Sequence, residues 1–421
     1  PTYMNIWLIS LFEPTPLDNT RPMRYMSIAN EGIKRGHNID HFACTFRHST
    51  KVQRFEENIS KNVNTNYDIH FIYGKPYKKN LSYSRVRSHK IFTKNLLSYI
   101  KTEDFKKPDV VLLAFPPIST PYKVGLWCKE NNIPYIIDII DPWPDNTYRF
   151  FPKWARGLLS LYLIPYKMKV KKLMNHSEAI TGISREYINW SSNYCTHRGK
   201  KTSHFYPSVP FSEIDRKLKE LPETNNTDKI RLIYAGSLEI SYDIPTILNA
   251  AKKMEQKYPD QTEFVFCGAG EYASLIEKEA KSLPNINFLG RLDYEDLLAQ
   301  YKKADLGLAQ YTTGAAQTVT YKLFDYLAAG LPVLNSLPTE MAEIIKEHKI
   351  GMNNAPEDAD KLFSNIEYYL TNKKELEKQQ QKARQITTEI GDNDVVYKKF
   401  IMLIEEVAEQ YSENNHKKAL A

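Results

Sequence analysis

Residues 313–336 read TGAAQTVTYKLFDYLAAGLPVLNS. A loop of small and polar residues leads into an apolar-periodic segment at Thr318–Thr320. Gly330 stops that segment, and a strand follows from Pro332. Thr318 and Thr320 are good helix N-cap types. A helix start behind a small-residue loop offers N–H groups and a positive dipole end, both suited to phosphate oxygens. Val319 lies between them. Lys322, in the first turn, adds a full positive charge. Asp325, a turn further, is an acceptor able to take two ribose hydroxyls. Phosphate at the tip and sugar hydroxyls along the side describe a seat for a nucleotide-diphosphate sugar. The same spacing also describes a plain amphipathic helix, with Leu323, Phe324 and Leu327 buried and Asp325 in water. Spacing alone does not choose between them.

The surroundings of this stretch set the fold class. Apolar runs of strand length recur at 6–12, 39–45, 69–74, 109–115, 135–140 and 179–183, with helical patterns between most of them. After a polar stretch at 211–229, the rhythm restarts at 231–237, 263–270, 286–290, 306–311 and 332–336. Continuously apolar strands alternating with helices predict parallel sheets covered on both faces. Two such runs predict an α/β protein of two Rossmann-like domains facing a cleft. They span 1–210 and 230–390, with a linker at 211–229. From 356 onward only helices are expected. The last of them, in 391–421, is predicted to cross back to the first domain. Open parallel sheets bind ligands at the carboxyl ends of their strands.

The chain has 421 residues and a formal charge of +7, from 57 Lys/Arg and 50 Asp/Glu. Residues 1–210 hold 31 of the cations and 16 of the acids, whereas 211–421 hold 26 and 34. The segment 149–172 carries seven cations and no acid. Such asymmetry predicts different partners for the two halves, the first anionic. A hydrophobic content of 42% and a charged content of 25% exclude global disorder. No apolar run approaches the roughly 18 residues that span a bilayer. The opening PTYMNIWLISLF does not read as a signal peptide. Cys44, Cys128, Cys195 and Cys267 lack zinc or Cys-x-x-Cys spacing and read as reduced, buried thiols.

Only 16 glycines are present. In the second half they fall where strands end, at Gly236, Gly268, Gly270 and Gly290. Glycine there lets the backbone turn tightly and approach a ligand, although each alone also fits a turn. Gly268-Ala269-Gly270 lacks the third glycine of a dinucleotide fingerprint, and no P-loop sequence occurs. The triplet 392–394 (Asp-Asn-Asp) reads as an N-cap for the terminal helix.

The motifs FVFCGAGEY, INFLGRLDYEDLLAQYKKADLGLAQY and YKLFDYLAAGLPVL resemble GT-B-fold glycosyltransferases of family 4, the retaining group. The resemblance covers nearly the whole chain. In the first half, ANEGIKRGH and DIIDPWPD resemble bacterial surface-polysaccharide members. The resemblance implies a nucleotide-diphosphate-sugar donor, of UDP-sugar type, and no cofactor or metal. Its donor-binding set maps to Arg21, Gly236, Ser237, Gly268, Gly270, Arg291, Gln317, Thr318, Val319, Thr320, Lys322 and Asp325. The catalytic set is Asp141, Lys322 and Asp325, with Asp141 orienting the acceptor or acting as base. The sequence departs from the family in three places. Gln317 and Asp325 stand where two glutamates are usual. Ser237 and the Ser241-Tyr242 region replace a basic pair. Asp18-Asn19-Thr20-Arg21 has no glycine pair. Lys322, with Arg21 or Arg24 from the first half, is the expected replacement for the missing cations.

The basic segment mixes its cations with Phe150, Phe151, Trp154, Leu158, Leu159, Leu161 and Tyr162. A basic amphipathic stretch suits an anionic membrane surface, and Pro165 is expected to break or kink it. Trp143, Lys153, Trp154 and Arg156 are placed on the acceptor or membrane side. The implied acceptor is polyprenyl-diphosphate-linked or a polysaccharide. Nucleic acid is not expected, since no recognition motif accompanies the charge. The whole reads as a hexosyl- or N-acetylhexosaminyl-type transferase of capsule or O-antigen synthesis, cytoplasmic and peripheral on the inner membrane face. The alternatives are a non-catalytic nucleotide-sugar-binding protein and a sugar-nucleotide epimerase.

Overall fold

The computed structural model describes residues 3–80, 82–102, 105–224 and 227–420. The chain forms two compact units, one of residues 3–206 with 396–420 and one of 207–395. Asn225 and Asn226 of the expected linker, and the outermost expected boundaries Pro1 and Ala421, lie outside the described residues.

The first unit is built on an eight-stranded sheet. Its strands are β1 (Asn5–Ile9), β2 (Asn38–Cys44), β5 (Ile59–Asn64), β6 (Tyr67–Ile72), β7 (Val110–Phe115), β8 (Tyr135–Ile139), β9 (Ala179–Gly182) and β10 (Lys201–His204). A two-stranded ribbon of β3 (Phe46–Arg47) and β4 (Val52–Gln53) lies outside the sheet. The sheet order is 10-9-8-7-1-2-6-5, and every pairing is parallel except β5 with β6. All residues of β1, β7, β8 and β9 are buried, as a doubly covered sheet requires. Helices α1 (Arg24–Lys34), α2 (Tyr83–Thr102), α3 (Ser119–Glu130), α4 (Arg156–His176) and α5 (Arg185–Ser191) connect the strands.

The second unit opens with a helix where coil was expected. Phe211–Glu220 is α6, because Ile214 and Leu218, four residues apart, are both buried among otherwise polar neighbours. Its sheet holds β11 (Ile230–Ala235), β12 (Thr262–Cys267), β13 (Ile286–Gly290), β14 (Leu306–Ala309), β15 (Val333–Asn335) and β16 (Gly351–Asn353). The order is 13-12-11-14-15-16, all parallel. Chain direction across the sheet reverses beside β11, the switch point at which such sheets bind ligands. Around it lie α7 (Ile244–Lys257), α8 (Ala273–Ala280), α9 (Tyr294–Lys303), α10 (Tyr321–Ala328), α11 (Glu340–His348), α12 (Ala359–Thr371) and α13 (Lys373–Ile386).

The last helix, α14 (Asn393–Leu420), begins in the second unit and completes the core of the first. Val396, Tyr397, Phe400, Ile401, Ile404 and Val407 are buried against Tyr25, Ile28, Ile39 and Phe205. The 3–4 spacing puts them on one face, and each side chain of Phe or Ile size contributes about 1.5–3 kcal/mol on burial. At its far side, Glu405 accepts two hydrogen bonds from Arg35, both at 2.7 Å. Asp392 Oδ1 accepts from the Asp394 amide at 3.2 Å, the capping contact expected of that triplet. All four cysteines are free and buried. No helix among the described residues is long and apolar enough to cross a membrane.

Candidate functional site

The second unit carries a cavity of 380 Å³ at the carboxyl ends of β11, β12 and β13, beside α9 and α10. Its lining includes Gly236, Ser237, Gly268, Ala269, Arg291, Leu292, Leu297, Tyr301 and Asp325. Five of the expected donor-binding residues therefore meet there: Gly236, Ser237, Gly268, Arg291 and Asp325. Leu292, Leu297 and Tyr301 were not anticipated. The last two stand four residues apart on α9, a pattern that also fits simple core packing.

The glycines are where they are for steric reasons. Gly236 has φ +145°, and a Cβ on it would come within 2.5 Å of the Lys322 ammonium. Gly268, at φ +156°, has the Gly236 carbonyl where a Cβ would point. The two turns thus interlock, and the Gly268 amide donates to Gly290 O at 2.8 Å. Gly270 has a different task. Its missing Cβ makes room for the Leu238 backbone, so it packs two loops together rather than lining the cavity.

Lys322 reaches back from the first turn of α10 to the end of β11. Its ammonium donates to Ala235 O and lies 4.3 Å from the centre of the Tyr234 ring. Burial pulls its pKa down to about 8, an effect that nearby Asp325 opposes. The ammonium makes no ion pair among the described residues, so a charged group is held in a desolvated place without a full counter-charge. Tyr326, on the same helix, is completely buried. Its hydroxyl donates to Leu308 O at 2.9 Å and accepts from the Ala235 amide at 3.0 Å. It bridges β11 and β14 beyond their last paired residues, Ile233 and Gly307.

The approach to α10 is more internal than its sequence implies. Thr320 is the N-cap, but its hydroxyl bonds to Tyr311 at 3.0 Å and makes no cap bond. Thr318 and Val319 are buried. The Thr318 carbonyl accepts from Thr339 Oγ1 at 2.6 Å and from the Met341 amide at 3.2 Å. Gln317 is half-buried, and its Oε1 has no hydrogen-bond partner among the described residues. Leu323, Phe324 and Leu327 are fully buried, while Asp325 is half-buried at the cavity wall. The helix is amphipathic and presents its acid to the cavity at once.

In the first unit, Asp141 follows β8 and accepts from Trp143 Nε1 at 3.0 Å and Asn146 Nδ2 at 2.6 Å. Burial raises its pKa, against the pull of those two donors and of Arg149 and Arg85. Arg21 stands half-buried in the loop before α1. Arg24 is not available to a donor, contrary to the expectation that it could replace a missing cation. It is buried, with Nε and Nη2 on Asp138 at 2.8 and 2.7 Å and Nη1 on Phe205 O at 2.5 Å. Buried Asp138 on β8 needs a cation, and Arg24 supplies it. Glu13, which sequence reading passed over, lies in the loop after β1. Burial raises its pKa to about 7 against the influence of Arg24.

The basic segment forms a 3-10 turn at Lys153–Ala155 followed by α4, which runs through Pro165 without a break. Pro165 lies on the exposed side. Leu159, Leu163, Val170 and Leu173 face the core, whereas Trp154, Leu158, Leu161, Tyr162 and Met168 are each 65–83% exposed. Lys153, Arg156, Lys169, Lys171 and Lys172 are exposed around them.

Residues 215–386, which contain the whole cavity, match the family Glycosyl transferases group 1. No curated protein matches the chain. Solved structures match along nearly all of it. Sucrose-phosphate synthase from Thermosynechococcus elongatus superposes with a TM-score of 0.69 at 12% identity, covering 96% of this chain and 99% of that one. WaaG, a glycosyltransferase involved in lipopolysaccharide biosynthesis, gives 0.61 at 15%, covering 95% and 99%. HepE from Anabaena, in complex with UDP, gives 0.62 at 12%, covering 97% and 100%. The fold is GT-B. At these identities the likeness shows the fold, and the family match is confined to residues 215–386 of the second unit.

Proposed function

We propose that the protein is a retaining glycosyltransferase that takes a sugar from a UDP-sugar and passes it to an acceptor at a membrane face. The observation that carries this reading is the Lys322 ammonium, desolvated and without an ion pair, set against Gly236 at a cavity whose wall also holds Asp325. Desolvated positive charge costs free energy that an anionic ligand returns. In this reading Lys322 and Arg291 balance the leaving diphosphate as negative charge develops on it, a kind of stabilisation that is often the largest catalytic contribution. Asp325 accepts the ribose hydroxyls. Gly236 and Gly268 let the phosphates approach the backbone. The base is assigned from the UDP complex of HepE, a protein of the same fold. No metal is required, because the two cations supply the charge.

The acceptor side rests on α4. An exposed apolar row bordered by five exposed cations fits the interfacial zone of an anionic leaflet, where each surface cation adds about 1 kcal/mol. A lipid-linked acceptor of capsule or O-antigen type agrees with that surface. Asp141 orients the acceptor hydroxyl.

The test is a thermal-shift panel of nucleoside diphosphates and their sugars, followed by donor hydrolysis. UDP and a UDP-sugar should raise the melting temperature, since ligands that bind only the folded state stabilise it by mass action. Asp325→Ala should abolish hydrolysis. Undiminished turnover in that variant would remove the donor site from consideration, and an inverted product anomer would overturn retention.

A further inference from the structure

The first unit holds a second group of half-buried cations without ion pairs, far in sequence from Lys322 and with no role in the donor reading. Arg85, on the first turns of α2, lies with its guanidinium carbon 5.2 Å from the centre of the Phe12 ring and 5.1 Å from that of Trp143. Its Nη1 donates to Asn80 O at 3.0 Å, but its Nε is buried with no partner among the described residues. One turn further along α2, His89 is 5% exposed, and its Nε2 is likewise buried and unpartnered. Lys51 lies 4.8 Å from the centre of the Tyr77 ring, and the Tyr77 hydroxyl bonds to His48 Nδ1. Neither Arg85 nor Lys51 forms an ion pair among the described residues.

These residues come from different parts of the chain and meet at one place. Phe12 follows β1, His48 follows β3, Tyr77 follows β6, and Trp143 follows β8. Phe12, Tyr77 and Trp143 lie in loops at the carboxyl ends of the sheet, where such sheets bind ligands, and the β3–β4 ribbon that follows β2 brings in His48. Burial, aided by the charge of Arg85, lowers the pKa of His48 to about 4 and of His89 to about 3, so both rings are neutral at neutral pH. The nearest acid, Asp141, already takes hydrogen bonds from Trp143 and Asn146. Arg149 also acts on that carboxylate and offsets it, which leaves Arg85, packed against two aromatic rings with an unpartnered Nε, and Lys51, whose ammonium donates to Asn80 Oδ1, as cations without a counter-charge.

We infer that Arg85, Lys51 and His89 form a subsite for a phosphoryl group carried by the acceptor. The charge count selects the ligand. A phosphomonoester carries about −1.5 to −2 at neutral pH, which matches two cations, whereas a sugar carboxylate would leave one unbalanced. The guanidinium fork suits phosphate oxygens, and Trp143 and Phe12 hold that fork in one orientation. The sugar that bears the phosphoryl group then lies along the exposed part of Trp143. Calling the ligand an acceptor rests on the glycosyltransferase reading, whereas the anion site itself does not.

The test is isothermal titration of the full chain with inorganic phosphate, pyrophosphate and glucuronate. With saturating UDP present to occupy the Lys322 site, one-to-one phosphate or pyrophosphate binding is expected, weakened at least tenfold in Arg85→Gln. Preference for pyrophosphate would identify the diphosphate of a lipid carrier as the source, and preference for phosphate a phosphorylated saccharide. Arg85→Lys, which keeps the charge and loses the fork, should fall between wild type and Arg85→Gln. Lys51→Gln, at a more accessible position, should weaken binding severalfold even if the Arg85 variants fold poorly. Equal affinity in Arg85→Gln and Lys51→Gln would overturn the inference, as would glucuronate binding as tightly as phosphate. If Arg85-dependent phosphate binding appears in a protein that fails to bind UDP, the subsite stands and the donor reading falls.

Discussion

Replacing Lys322 by methionine should make the protein more stable and less able to bind nucleotide. The side chain keeps its length and loses its charge. Burial lowers the ammonium pKa from an ordinary 10.5 to about 8, and at about 1.4 kcal/mol per unit that corresponds to roughly 3 kcal/mol for keeping the charge where it is. Methionine removes this cost but also removes the bond to Ala235 O and the contact with Tyr234. Those are worth about 1–2 kcal/mol together, so a net gain of about 1–2 kcal/mol is expected at neutral pH. The pH dependence has a definite sign. Below about pH 8 the lysine is charged in both folded and unfolded chains, and the cost is fully present. Between about 8 and 10.5 the unfolded chain holds the proton more tightly than the folded one, so wild-type stability rises with pH and the advantage of methionine fades. Urea denaturation at pH 7 and pH 10 measures this directly. UDP titration over the same range should show affinity falling above pH 8 in the wild type, with proton uptake on binding. A methionine variant less stable than wild type at pH 7, or one that binds UDP as well, would refute the reasoning.

Three further outcomes are expected. Gly268→Ala should cost at least about 2 kcal/mol, because the new Cβ is directed at the Gly236 carbonyl from a backbone conformation that L-residues resist; donor binding measured on whatever folded protein remains should fall with it. Arg24→Met should destabilise the first unit by about 3–5 kcal/mol by leaving Asp138 buried without its cation, while Arg24→Met paired with Asp138→Leu should recover most of that in denaturation experiments. Trp154→Ser with Leu158→Ser should abolish pelleting with anionic liposomes while leaving the melting temperature within a degree or two, because both side chains are exposed; equal pelleting with neutral vesicles would remove the electrostatic part of the membrane reading.

The elements legible in the sequence were those whose local pattern matched their surroundings. Strands β7, β8 and β11 are almost wholly apolar because both faces of the sheet are covered. The edge strand β5 (ISKNVN) escaped notice because it is mostly exposed and carries polar residues. Strands β10 and β16 are short edges of the same kind. Helix α6 was hidden by its composition, since only Ile214 and Leu218 show what it buries. At the site, Gly236 and Gly268 could be read because strand-end glycines have a local cause. The position of the Lys322 ammonium could not, because it depends on a carbonyl 87 residues earlier. Arg24 was misjudged for the same reason, its partner being 114 residues away. The Arg85 group had no sequence signal at all, since its members come from four separate loops and a helix.

The return of α14 to the first unit bears on the order of events during synthesis. Phe400 and Ile401 belong to the same core as β1 and β2, yet they leave the ribosome after the entire second unit. The first unit must therefore wait, its sheet exposing apolar surface along Tyr25, Ile28 and Ile39, while residues 207–395 fold. Closing that contact spans several hundred residues, so it is slow on topological grounds. The outgoing and returning chains meet where Val209 exchanges backbone hydrogen bonds with Gly391 and Asn393, at 2.8 and 2.9 Å. That pairing forms within the second unit. A chain stopped short of Val396 should yield a soluble second unit attached to an aggregation-prone first one.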